Sequence, residues 1–161
     1  MSISDKKAII DAIKAGDYDA VAELTQGHPR RLRHLVTVLY EQDETLRARA
    51  ATALAAASKT HPKMVKKLVA RLVWAMTNES NTYLPTAPEA VLAIAEVNPD
   101  LVAPFSADLI RLSRDTSLNA KLCDTLRRIS ARCPGMIGQR MTKSLGEQIR
   151  YGGQLGRRDR Q

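Results

Sequence analysis

The sequence predicts an all-α chain, a right-handed solenoid of stacked antiparallel helix pairs with about nine helices. Three observations carry that expectation. Prolines return at a near-fixed interval, at Pro29, Pro62, Pro99 and Pro134, spaced 33, 37 and 35 residues. Segments that open 19 residues ahead of the last three, at Asp43, Ser80 and Asp115, align without a gap. Within those frames apolar side chains hold equivalent positions: Leu46, Tyr83 and Leu118, then Leu54, Val91 and Leu126, then Ala57, Ile94 and Ile129. Offsets of 8 and 11 residues between these positions place them on one side of a helix that turns every ~3.6 residues. A unit repeated at this period can bury its apolar face only against its neighbours, so repetition implies stacking.

The first elements form a capping pair, Ser4 to Ala15 and Asp17 to Gln26, joined by a tight turn at Gly16. A helix from Pro29 to Tyr40, apolar along Leu32, Leu35, Val36 and Leu39, completes a degenerate first repeat. Two full pairs follow, from Asp43 to Thr77 and from Thr86 to Ser113. Behind Pro62 the stripe runs Val65, Leu68, Val69, Leu72, Val73 and Met76, and behind Pro99 it runs Val102, Phe105, Leu109 and Leu112. The last pair covers Thr116 to Arg132 and Pro134 to Arg150. Each proline suits a first helical position, where its missing N–H has no intrahelical partner to lose. The residue ahead of it, His28, His61, Asn98 or Cys133, is then the N-cap. Asp17, Asp43 and Asp115 stand where negative charge meets the positive end of a helix dipole, and Thr86-Ala87-Pro88-Glu89 has the spacing of a capping box.

The expected organisation is one domain over residues 1–150, with 1–26 as N-terminal capping helices and 29–150 as repeats. Beyond Tyr151, Gly152, Gly153 and Gly156 among Arg157, Arg158 and Arg160 predict a flexible basic tail over 151–161. Of all residues 44% are apolar but only 4% aromatic, so the core falls to Leu, Ala, Val and Ile. The alanine run from Ala48 to Ala57 implies close helix packing. No apolar run long enough to span a bilayer and no apolar signal core after Lys6 and Lys7 are present, which predicts a cytoplasmic protein with no membrane contact. Cys123 and Cys133 have neither disulfide-framework nor zinc spacing and read as ordinary thiols.

Paired helices of this length, with proline opening the second and aspartate the first, resemble HEAT repeats of the armadillo type over residues 17–150. The segment Asn78-Glu79-Ser80, leading to Ala87-Pro88-Glu89-Ala90 and then Asn98-Pro99-Asp100-Leu101, is similar to small prokaryotic HEAT-like proteins. That resemblance implies a curved stack whose second helices line a concave face used to hold other macromolecules.

Charge points to where such a face would act. Residues 1–120 hold 15 Lys and Arg against 14 Asp and Glu, whereas residues 121–161 hold 10 against 3. Nearly all of the net +8 therefore lies late in the chain. Arg140, Lys143, Arg150, Arg157, Arg158 and Arg160 can contact nucleic acid or an acidic partner, or serve as a solubilising end cap. A second cluster comes from the positions one, four, five and nine residues after each proline, which the second helices expose. They hold Arg30, Arg33 and His34 in the first repeat and Lys63, Lys66, Lys67 and Arg71 in the second. In the third they hold Asp100, Ala103, Pro104 and Asp108, and the sign changes. Lysines and arginines on a helix also read as a merely solvated face. Trp74, the sole tryptophan, lies off the apolar stripe among these cations. It suits an interaction anchor, or packing under a neighbouring turn against Tyr83.

No catalytic or metal site is expected. His28, His61 and Cys133 are equivalent positions in neighbouring repeats, about 10 Å apart, too far to share one ion at ~2 Å bonds. A glycine-rich phosphate loop, a Gly-x-Ser-x-Gly elbow and a nucleophile with an evident base are all missing from the sequence. Some HEAT-like folds are DNA glycosylases, but one Trp and Phe105 leave such a cleft unfurnished. The reading is a non-catalytic scaffold without cofactor that holds a protein or peptide through Arg30, Arg33, Lys63, Lys66, Lys67, Arg71 and Trp74. Its alternative is a nucleic-acid-binding module that uses the same stripe and the late cations.

Overall fold

The computed structural model describes residues 3–77, 86–115 and 118–132, and every regular element among them is helical. Helices α1 (Ile3–Ala15) and α2 (Tyr18–Gln26) form the opening hairpin. Its turn is Gly16, whose φ of 70° is cheap only for glycine. Asp17 then caps α2, its Oδ1 accepting from the Ala20 N–H at 2.9 Å. The helix expected from Pro29 starts as a 3-10 segment, Pro29–Leu32, and becomes α3 only over Arg33–Val38.

Helix α4 (Glu44–Thr60) is an alanine-rich rod that suits the best helix former. Asp43 caps it, accepting from the N–H groups of Thr45 at 2.8 Å and Leu46 at 3.3 Å. Helix α5 (Pro62–Ala75) follows directly, with His61 ending one helix and opening the next. Beyond residues 78–85, α6 runs Ala87–Val97 and α7 Pro99–Val102. His28, His61 and Asn98 are the residues ahead of the helix-opening prolines, as expected, and none caps through its side chain.

Three sequence expectations need correction. The second helix of the third pair is broken, because Pro104 has no N–H for the carbonyl of Asp100. A 3-10 turn at Ala103–Phe105 separates α7 from α8 (Ser106–Leu112). The capping box at Thr86 does not form either. Thr86 has helical backbone angles, and its buried hydroxyl donates instead to the Leu39 carbonyl at 2.8 Å, while Glu89 pairs with Lys121. Helix α9 (Asn119–Arg132) begins three residues later than the pattern suggests. Tyr83, Cys133, the helix expected from Pro134 to Arg150 and the tail over 151–161 lie outside the described residues.

The helices pack in series. Helix α4 lies chiefly on α6, and α6 on α9, while α5 is covered by α4, α6, α7 and the turn at Pro29. Leu54, Val91 and Leu126, equivalent in the repeat register, are each 0% exposed. So are Ile94 and Ile129, whereas Ala57 and Leu46 are half-buried. Small side chains at Ala50, Ala53, Ala87 and Ala90, all buried, let the α4 and α6 backbones approach. Two ion pairs set the α6–α9 register: Glu89 with Lys121, and Glu96 with Arg128 at 3.0 Å. Both partners advance by seven residues, so the two helices run side by side in the same direction.

Polar bonds tie distant segments to this stack. The Asn98 side-chain amide donates to the Ser58 carbonyl at 3.1 Å. Arg31 donates to the Leu24 carbonyl at 2.8 Å and pairs with Asp5 at 2.9 Å. The Arg49 guanidinium caps the carbonyl end of α1, donating to Lys14 and Ile13. Among the described residues no helix is long and apolar enough to cross a membrane.

Candidate partner-binding face

Helix α5 divides its residues between two tasks. Val65, Leu68, Val69, Leu72, Val73 and Met76 are all buried, the stripe that Pro62 starts. On the opposite side Lys63, Lys67, Ala70 and Trp74 are exposed. Their i, i+4, i+7, i+11 spacing puts them in one line along the helix. Lys66 and Arg71, also exposed, flank that line on its two sides.

A cleft opens at each end of the line. The first, of about 470 Å³, is lined by Arg30, Lys63 and Lys67 together with Pro29, His61 and Met64. Among the described residues no carboxylate lines it. The second, of about 540 Å³, lies where α5 meets α8 and is lined by Trp74, Phe105 and Leu112 with Asp108, Arg111 and Asp115. Trp74 is 56% exposed, so its ring is offered to solvent and does not fill the core. Arg111 bonds Asp108 at 3.3 Å across one turn of α8. The packing of Trp74 on Tyr83 falls outside the described residues.

The structure thus joins some of the expected stripe and separates the rest. Arg30, Lys63 and Lys67 share one cleft, and Trp74 belongs to another. Arg33, Lys66 and Arg71 are exposed but line neither. His34, expected on the exposed side, is half-buried, with a buried Nε2 that finds no hydrogen-bond partner among the described residues. His34 lies one turn before the buried Val38 on α3, and α1 packs against that helix and brings Lys6 and Asp5 near the ring. Burial holds the His34 pKa below its ordinary value, helped by Arg33, Lys6 and Arg31 and opposed by Asp5. Ala103, beside the break at Pro104, is likewise buried.

Phe105, Arg111 and Asp115 complete the Trp74 cleft without having been singled out for it. Phe105 looks like one more stripe residue in the sequence, but it ends the 3-10 turn at the break and is half-buried, lining the cleft with residues of α5. Of the late cations, Arg132 is exposed at the end of α9, and the others fall into two groups. Lys121, Arg127 and Arg128 pair with Glu89, Asp124 and Glu96. Arg140, Lys143, Arg150, Arg157, Arg158 and Arg160 lie outside the described residues. No three His, Cys, Asp or Glu side chains among the described residues gather closely enough to hold a metal ion. Cys123 is buried on α9, and burial pushes its thiol pKa up.

No protein-family model matches the chain, and no solved structure matches it. An uncharacterized protein of Archaeoglobus fulgidus is 31% identical over 87 residues, which is 54% of this chain and 46% of that protein. The chain thus spans about half the length of the curated relative it matches.

Proposed function

We propose that the chain is a HEAT-like, right-handed α-solenoid of about nine helices that acts as a non-catalytic scaffold and holds a protein or peptide on the face of α5. The series packing of α4, α6 and α9 and the buried equivalence of Leu54, Val91 and Leu126 support the solenoid. One observation carries the function: an exposed line of Lys63, Lys67, Ala70 and Trp74 with a cleft at either end. The ion pairs formed among the described residues leave out Arg30, Lys63, Lys66, Lys67 and Arg71, so this charge faces solvent uncompensated.

Nucleic acid is the second reading, favoured by the net +7 carried by residues 121–161. Pairing of Lys121, Arg127 and Arg128 with carboxylates weakens it, because a phosphate track needs cations that are not already matched. Capture experiments with and without nuclease separate the two. A scaffold keeps its partner after nuclease treatment and loses it when Lys66, Lys67 and Arg71 are changed to Glu. Capture that disappears with nuclease, or that ignores the triple substitution, rejects the reading.

A further inference from the structure

The outer side of α5 has the layout of a seam for a second helix. Its exposed residues Lys63, Lys66, Lys67, Ala70, Arg71 and Trp74 bound two consecutive diamonds of the i, i+3, i+4, i+7 pattern. Lys63, Lys66, Lys67 and Ala70 form the first, and Lys67, Ala70, Arg71 and Trp74 the second. In coiled-coil packing such a diamond is the hole that receives one side chain of the facing helix. Ala70 belongs to both holes and leaves each open at that corner. Their rims differ: three lysines surround the first, while Lys67, Arg71 and the exposed ring of Trp74 surround the second. Lys66 and Arg71 stand on the two flanks of the seam, where charge selects a partner helix. Helix α5 carries four cations and no acid, and none of the four enters an ion pair formed among the described residues. Arg30, which lines one cleft with Lys63 and Lys67, adds a fifth cation beside the first hole.

We infer that α5 docks an acidic amphipathic helix of about three turns. This helix sends a Glu or Asp into the first hole and, one turn away, an aliphatic side chain the size of Leu into the second, against Ala70 and Trp74, with further acids over Lys66 and Arg71. The inference rests on the scaffold reading and adds the shape and chemistry of the partner. Lys63 and Trp74 stand eleven residues apart, a rise of about 16 Å, which a facing helix of that length covers. Charge complementarity selects the acids, and the contact at Ala70 and Trp74 selects the aliphatic anchor. An oligonucleotide answers the cations alone, whereas an alanine shared by two holes favours a partner that sends in side chains at helical intervals. Residues 133–161 of the chain itself, with six Lys and Arg against two acids, would place like charge on the lysines. Helix α2 of a second copy offers exposed Asp19 and Glu23 but no exposed aliphatic side chain larger than alanine for the second hole.

The test uses Trp74 as its own reporter, since the chain has one tryptophan. The probe is a fluorescein-labelled, hydrocarbon-stapled helical peptide of about 14 residues without tryptophan, with Glu and Leu one turn apart on one face and Glu on both flanks. Binding raises its anisotropy and shifts or quenches Trp74 emission. Changing the Glu residues to Gln, changing Leu to Ser or exchanging the staple for a central proline each weakens binding by about tenfold or more. Ala70→Gln, which fills the corner common to both holes, does the same while far-UV circular dichroism stays unchanged. Trp74→Ala weakens the full probe and does nothing further to the Leu→Ser probe. Lys66→Glu with Arg71→Glu prefers a probe whose flanking acids are replaced by lysines, a gain that mere unfolding cannot give.

A probe that binds as well with proline at its centre, without its acids, or to Ala70→Gln as to the native chain overturns the inference and leaves the scaffold reading standing. A shift of Trp74 emission with protein concentration alone names a second copy as occupant and also overturns it. Absence of probe binding overturns the inference, and joined to salt-sensitive binding of single-stranded oligonucleotide it overturns both.

Discussion

Leu54→Ala is the sharpest test of the packing on which the face depends. Leu54 is 0% exposed and sits mid-way along α4, the helix that lies on α6. The substitution removes three carbons, a transfer loss of about 2.4 kcal/mol at ~0.8 kcal/mol per buried methylene. The residual cavity raises this to about 3–5 kcal/mol, because a helix flanked on both sides collapses only partly. For a chain of this size that lowers Tm by about 6–20 °C. Urea unfolding followed by far-UV circular dichroism measures it, with exposed Thr52→Ala on the same helix as a control expected within about 0.5 kcal/mol. Stacking in series adds a second, stricter expectation. Leu54→Ala and Leu126→Ala, on helices separated by α6, should add within about 0.5 kcal/mol, whereas Leu54→Ala and Val91→Ala, on neighbouring helices, should couple more strongly. A loss below about 1 kcal/mol for Leu54→Ala, or equal coupling in both pairs, refutes the serial core.

Four smaller tests follow from local geometry. Asp43→Ala removes the oxygen that accepts from Thr45 and Leu46 and should cost about 1 kcal/mol in urea unfolding; no change would remove the cap from the account. Gly16→Ala forces a side chain onto a φ of 70° with the Arg49 guanidinium 3.5 Å from the new Cβ, a loss of about 1–2 kcal/mol in the same assay. His34 is held below its ordinary 6.5 in the fold, so the unfolded chain binds more protons. Its contribution is complete above about pH 6.5 and is lost as pH falls through the folded pKa; thermal melts across that window should fall more steeply with acid for the native chain than for His34→Gln, and equal slopes would contradict the burial. Lys121→Ala and Arg128→Ala break half-exposed ion pairs with Glu89 and Glu96 and should each cost under about 1 kcal/mol, less still in high salt.

Much of the fold is legible before any coordinates, because proline and apolar period act locally. Pro29, Pro62 and Pro99 each open a helical segment, and the residues behind Pro62 are buried as their spacing predicts. What escapes the sequence is the pitch of short segments. The segment behind Pro29 starts as a 3-10 turn, and Pro104 breaks a helix that the apolar spacing draws as continuous. Thr86 shows the same limit for polar groups. Its spacing to Glu89 suits a capping box, yet the Leu39 carbonyl, 47 residues away in sequence, takes the hydroxyl. The candidate site is legible in its residues and not in its grouping. Of seven positions read as one stripe, Arg30, Lys63 and Lys67 share one cleft, Trp74 belongs to another and Arg33, Lys66 and Arg71 line neither, while the facing surface of the second cleft, from Phe105 to Asp115, comes from the next pair.

That division follows from how paired helices share labour. A residue on the buried side of α5 answers to α4, α6 and α7 at once, so Leu68 or Leu72 can change little without loss of packing. The line Lys63, Lys67, Ala70 and Trp74 answers to none of these constraints, being solvent-facing. Charge reversal at Lys63 or Lys67 should therefore leave stability within about 0.5 kcal/mol while it changes what the face holds. Fold and recognition are then written on the same helix in residues that do not compete. The break at Pro104 serves the second of these, because a continuous helix would carry Phe105 onward in the buried register. If straightening that helix with Pro104→Ala left the Trp74 cleft and its emission unchanged, the cleft would owe nothing to the break, and its lining would be an accident of α8 alone.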